Sequence, residues 1–452
     1  MRFDFGVLSV SGVPHRIRPV WCTVVICAAM TSLLKPVALA DDWPQWRGPQ
    51  RDGTWHETGI VERFEEKRLE PVWRREIASG YSGPTVADGR VYVTDRVVEP
   101  VQQERIHCFD WKTGIPIWSH TYDCPYEKVS YEAGPRAAVT VHDGRAYALG
   151  TMGHLFCLDA GTGTVLWEKD LSSEYEIRMP IWGIAGAPLV VNDLVVVHIG
   201  GNDGACVVAF DRKDGDEVWR ALDDQASYTA PILIEQAGQE VVVCWTGDSV
   251  AGLDAERGSP LWRFPFPPRQ QVVIGISTPL VDHGRLFVTS FYDGSLMLRL
   301  DDRQTRVEEI WSACGPDERH TEALQSIIST PILQGDYIYG VDSYGELRCL
   351  DARTGERIWE DRTATPRARW SNIHFVTHGD DVWMFNERGE LIISQLSPLG
   401  FHEQSRALLI DPTEEQLGQR GGVCWAHPAF AHRHVFARND KELICVSLEA
   451  DR

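Results

Sequence analysis

Short stretches in which apolar and polar residues alternate, separated by turn residues, run from about residue 71 to the end of the chain. Residues 90–94 (RVYVT) and 145–149 (RAYAL) are examples. Their period of two is that of a half-buried strand, not the 3.6-residue period of a helix. Each follows an Asp-Gly turn, Asp88-Gly89 or Asp143-Gly144, of the kind that folds one strand onto the next. The pattern predicts strands throughout. The one long apolar run, residues 20–34, lies near the N-terminus.

Self-comparison reveals a repeating unit of about 43–52 residues, a period that signals blades or solenoid turns. The fullest copies are GPRAAVTVHDGRAYALGTMGHLFCLDAGTGTVLW (134–167) and TPILQGDYIYGVDSYGELRCLDARTGERIW (330–359). Each spells four strands, the last predicted to end in Trp. The turn before that strand, Asp-x-x-Thr-Gly, is tight for a local reason. The carboxylates of Asp110, Asp159 and Asp351 can accept backbone N–H groups across it, and Gly114, Gly163 and Gly355 take positive φ without a Cβ clash.

The terminal aromatics fall at Trp73, Trp118, Trp167, Trp219, Trp262, Trp311 and Trp359, with Phe401 ending a degenerate unit. Residues 425–448 supply three strands with no fourth, and residues 71–77 a fourth strand with no first three. The expectation is an all-β, eight-bladed β-propeller of four-stranded antiparallel blades, closed by pairing of its N- and C-terminal strands. Closure leaves no blade edge without a neighbour.

Charge narrows the partners. The formal charge is −21, and residues 1–40 hold four basic residues and one acidic, so the chain from Asp41 onward carries −24. So acidic a surface repels nucleic acid and anionic lipid. Arg16 and Arg18 precede the apolar run, and Ala38-Leu39-Ala40 is a small-x-small cleavage site. Residues 1–40 therefore read as a signal peptide, its apolar run (20–34) short for a membrane span, with an uncleaved anchor as the alternative. The mature chain is expected in the periplasm or outside the cell, cleaved near Ala40, with no transmembrane segment. Residues 41–70 form an N-terminal strap, expected to pack across the ring without binding a ligand, and residues 71–452 the propeller.

Of eleven Cys, nine follow the cleavage site, so at least one is unpaired. Cys108, Cys157, Cys349 and Cys445 share one repeat position that Ala209 and Gly252 fill in other copies. That marks a cramped core site with a buried thiol; the other five could include a bridge, which spacing does not pair. The common catalytic motifs are missing: no G-x-S-x-G, Walker A loop, H-E-x-x-H or paired C-x-x-C occurs. His427, His432 and His434 read as polar residues near the start of the eighth blade; on an extended strand His432 and His434 would point one way and Arg433 the other. The pairs Asp223-Asp224, Asp301-Asp302 and Asp380-Asp381 read as solvated turn charges.

The signature A/L-L-D-A-x-T-G-x-x-x-W, fullest in CLDAGTGTVLW and CLDARTGERIW, resembles the pyrroloquinoline-quinone (PQQ)-like β-propeller repeat over residues 71–448. The resemblance implies either a quinoprotein dehydrogenase or a non-catalytic scaffold like the BamB propeller of the outer-membrane assembly machinery. Features that the dehydrogenases share are a disulfide between adjacent Cys, a Glu/Asn/Asp calcium set beside an Asp base, and long loops burying the quinone. None is legible in this chain, so the BamB-like branch is expected, with no catalytic or metal-binding residue and no cofactor. The alternative is a PQQ-dependent alcohol or sugar dehydrogenase holding PQQ with calcium.

In such a ring the innermost strands line a central channel. The loops leading into them gather on one face, and here several are long and aromatic (120–136, 174–188, 367–374, 421–428). Tyr81, Tyr131, Arg136, Trp182, Tyr228, Trp370, Asn372, Trp425 and His427 fall at the channel mouth. Convergent aromatics, one Arg and a few polar groups suit a small organic ligand or an envelope protein; the alternative is that these residues plug the channel and pack the blade edges. Arg136 is the candidate anchor for a carboxylate or carbonyl, unless Glu132 pairs with it.

Overall fold

The structure, a computed structural model, describes residues 41–450, and the expected signal peptide lies outside the described residues. Thirty-two strands form eight four-stranded antiparallel sheets. Seven sheets take consecutive strands; blade 2, for example, runs Thr140–His142, Arg145–Leu149, His154–Asp159, Val165–Asp170 from axis to rim. The eighth adds Trp73–Glu76 to the outside of Glu442–Ser447, with Trp73 opposite Cys445. The ring closes on its own ends, as the sequence pattern predicts. A single short helix, Leu171–Glu174, occurs among the described residues, and no described helix is long and apolar enough to cross a membrane.

The repeat's Trp locks the blades together. It stands early in the outer strand (Trp118 in Pro116–Asp123), not at its end. Across the pair it faces the small position of the third strand: Cys108, Cys157, Ala209, Gly252, Cys349 or Cys445. A Cβ on Gly252 would come within 2.3 Å of the Trp262 ring, so the site has to stay small. Blade 5 differs, with Met297 opposite Trp311. None of the nine described cysteines forms a bridge, including Cys124, Cys206, Cys244, Cys314 and Cys424. Burial pushes the Cys108 thiol up to about 12.

Each indole also reaches the next blade. Trp73, Trp118, Trp167 and Trp219 donate Nε1–H to the carbonyls of Trp111, Ala160, Arg212 and Ala255 at 2.7, 3.0, 3.1 and 3.2 Å. The rings lie on the turn glycines; a Cβ on Gly163 would sit 2.6 Å from the Trp118 ring. The turn Asp does what its chemistry suggests, Asp159 Oδ1 accepting Thr162 N–H at 2.8 Å. One turn lacks glycine: in residues 301–306 (DDRQTR) no flat seat exists, and Trp262 donates to Gln236 Oε1 at 2.8 Å.

Two readings of charged residues need correction. Asp224 is buried, not solvated: it accepts the Thr246 and Ser249 hydroxyls and pairs with Arg263. His432 and Arg433 sit in a turn at φ +54° and +56°, not on an extended strand. His432 stacks on Trp111 at 4.2 Å, and His434 meets the same ring edge-on at 5.4 Å.

The strap lies where the inner strands end, opposite the long loops. Trp43 pairs with Val86, Val141 N–H donates to the Pro44 carbonyl, and Trp55 packs on Trp383 and Phe430. From there residues 46–51 push up the axis. Arg51 spends its guanidinium on Gln45 Oε1, Thr140 Oγ1 and the carbonyls of Ala187, Pro188 and Pro231. Burial without a carboxylate partner lowers its pKa to about 9. The channel is thereby plugged at one end.

Candidate functional site

At the other end a recess of about 170 Å³ opens among the long loops. Every blade contributes to its wall. In ring order these are Tyr81; Tyr131, Arg136 and Ala138; Trp182, Ala185 and Ala187; Tyr228 and Ala230; Ile276 and Thr278; Ile327 and Ile328; Trp370 and His374; Trp425 and His427. Trp46 of the strap forms the floor, its indole donating to Thr278 Oγ1 at 2.7 Å. The strap expected to pack without touching a ligand site is thus part of the wall.

The recess exists because of what stands before each inner-strand proline. Ala187, Ala230, Thr278 and His427 each precede a Pro, and Ala138 and His374 hold the same place in blades 2 and 7. X-Pro geometry forces the preceding residue into an extended conformation, which aims this position at the axis. Small residues there leave the axis open. In blades 7 and 8 the position is His, and these two imidazoles carry the floor: Trp46 meets His427 edge-on at 4.5 Å and His374 at 6.5 Å.

Above this level the aromatics touch one another. Tyr131 meets Trp182 at 6.1 Å, Trp370 at 6.0 Å and Trp425 at 6.4 Å, and Trp182 packs on Tyr228 at 5.0 Å. Tyr131 and Trp370 both have left-handed backbones, φ +57° and +70°, a cost of order 1–3 kcal/mol each for bulky residues. The loops hold them over the opening against that cost.

Arg136 does not pair with Glu132, which lies instead 3.9 Å from Arg96. Its guanidinium donates to the carbonyls of Gly134, Ser130 (3.0 Å) and Tyr131 (2.5 Å) and sits 4.9 Å from the Tyr81 ring centre. No carboxylate lines the recess. Burial keeps both histidines neutral, lowering His374 to about 4 and His427 to about 3. His427 Nε2 is buried with no hydrogen-bond partner among the described residues.

Eight of the nine mouth residues named from sequence meet at this wall. Asn372 does not; it is fully buried and off the recess, its amide without a partner among the described residues. Sequence reasoning missed Trp46, His374 and the small axial residues. The register of the residue before each inner-strand proline would have found most of them.

PQQ, implied by the repeat, is a flat fused-ring quinone with three carboxylates. One guanidinium for three carboxylates and no wall carboxylate for calcium make a poor match for it, and the residues do not fit that group. Among the described residues no three His, Cys, Asp or Glu are placed to share a metal ion.

Comparison with known proteins gives a consistent picture. The family model described as outer membrane protein assembly factor BamB matches residues 102–361 and 207–450. The outer membrane protein assembly factor BamB of Shewanella oneidensis is 23% identical over 229 residues, 50% of this chain and 56% of that protein. The quinohemoprotein alcohol dehydrogenase ADH-IIG of Pseudomonas putida is 26% identical over 289 residues, 55% of this chain and 37% of that enzyme. The chain thus matches about half or less of the length of these relatives. The crystal structure of BamB from Moraxella catarrhalis superposes with a TM-score of 0.56 at 18% identity, covering 85% of this chain and 99% of that one, a likeness of fold.

Proposed function

Because the chain belongs to the outer membrane protein assembly factor BamB family, we propose that it is a non-enzymatic binding and assembly scaffold of the bacterial cell envelope. In this reading residues 1–40 are an export signal, the strap 41–70 closes one end of the channel, and the ring of residues 71–452 presents its loop-rich face to a partner in the periplasm or outside the cell. The observation that carries it is the recess: an aromatic cup walled by all eight blades, floored by the strap and free of acid groups. An apolar pocket with a few convergent polar groups is the default place to look for a binding site.

The dehydrogenase relatives support a competing reading, an alcohol or sugar oxidoreductase using PQQ and calcium. The wall's donor set weighs against it. One experiment separates the two. Immobilised protein should retain envelope proteins that the Trp370→Ala variant releases, and added PQQ and Ca²⁺ should give no dye reduction with alcohols or aldoses. Saturable quinone absorbance with dye reduction would replace the scaffold with the enzyme.

A further inference from the structure

The recess is two-sided, and its sides are set by ring order. Blades 3 to 6 contribute Trp182, Tyr228, Ile276, Thr278, Ile327 and Ile328 to one arc, with no ionisable nitrogen among them. Blades 7, 8, 1 and 2, contiguous across the closure, add Trp370, Trp425, Tyr81 and Tyr131 and carry all the ionisable nitrogen groups of the lining, His374, His427 and Arg136. We propose that this cup takes a single aromatic ring bearing one carboxylate, the ring against the apolar arc and the carboxylate at Arg136. The inference rests on the binding-scaffold reading and names the chemistry of its site.

The recess has room for a ring: an apolar cavity of roughly 150 Å³ accepts benzene, and this one, open at the mouth, measures about 170 Å³. Walls of Trp and Tyr prefer a planar occupant, stacked or edge-on. Charge argues for one carboxylate. Arg136 carries the only formal positive charge on the wall and has no acid within ion-pair distance, although the chain holds 65 Asp and Glu. Its Nη1 and Nη2 donate to three main-chain carbonyls and the Thr151 hydroxyl, which fixes the guanidinium in place without neutralising its charge, so an incoming anion meets a preset positive centre. A second cation would find no partner there.

Calorimetry on the whole protein decides it, with phenylacetate, its neutral isostere phenylacetamide, and phenethylamine. Phenylacetate should bind at least about tenfold tighter than the other two, the worth of one charge-assisted contact. Arg136→Gln should erase that preference, and the wild-type comparison stands even where that variant folds poorly. Equal binding of acid and amide, tighter binding of the amine, or no binding at all would overturn the proposal. A Gly-Gly-Phe peptide against its C-terminal amide distinguishes a chain end from a free acid as source: preference for the acid peptide points to a chain end, and rejection of both peptides while phenylacetate binds points to a small molecule. If phenylacetate fails while Trp370→Ala still releases envelope proteins, the ligand class falls and the scaffold reading stands.

Discussion

At the rim, Trp73, Trp118, Trp167 and Trp219 each lie on a glycine of the next blade and spend their N–H on its main chain. At the hub, Trp46, Trp182, Trp370 and Trp425 instead surround open space. The rim indoles pack between neighbouring blades, Trp73, Trp167 and Trp219 buried and Trp118 partly so, and their energy goes into joining the ring. At the hub Trp46, Trp182 and Trp370 stay partly exposed while Trp425 is buried, and Trp370 is held there at a backbone cost. One residue type thus serves closure at one radius and recognition at the other. Substitutions at the two radii should separate stability from binding.

The largest effect belongs at the rim. Trp167→Ala removes a buried ring from Gly215 and its N–H bond to the Arg212 carbonyl; a loss of about 3–5 kcal/mol should appear as a lower denaturation midpoint. A change under 1 kcal/mol would mean that the indoles do not join the blades. Next comes the plug. Arg51→Met leaves the carbonyls of Ala187 and Pro231 without their donor, at about 1–3 kcal/mol, and limited proteolysis should then cut residues 41–57 faster than in wild type.

Acid probes the hub floor. Folded His374 and His427 resist protonation down to about 4 and about 3, whereas the unfolded imidazole takes a proton near 6.5. The unfolded state therefore binds more protons as pH falls below 6.5, and stability that is full above that value declines toward pH 4. The melting temperature should drop between pH 7 and 4.5, and His427→Gln should flatten the slope without abolishing it, because His374 remains. The smallest effect on stability is predicted for Trp370→Ala, within about 1 kcal/mol, with binding lost. A large fall in melting temperature there would erase the distinction between rim and hub.

The rim was legible in sequence because it repeats. A Trp, a turn Gly and a small third-strand residue recur in nearly every unit, so each copy corrects the reading of the others. The mouth was legible in part, since its long loops stand out by their aromatics. Trp46 was not, because a strap residue reaches the axis only through a fold that the repeat does not describe. His374 was hidden because blade 7 has Phe375 where most other blades have Pro, and Asn372, placed at the mouth for its position just before an inner strand, is instead buried away from the recess. Asp224 looked like a turn charge because its partners Thr246, Ser249 and Arg263 come from later strands of the blade.

Site-specific photocrosslinking tests the central claim, that the partner sits on the mouth. A crosslinking amino acid at Ile181, 47% exposed in a mouth loop, should capture an envelope partner, and one at Leu399, 97% exposed in a turn on the opposite face, should not. Adducts from position 399 with none from position 181 would contradict the account.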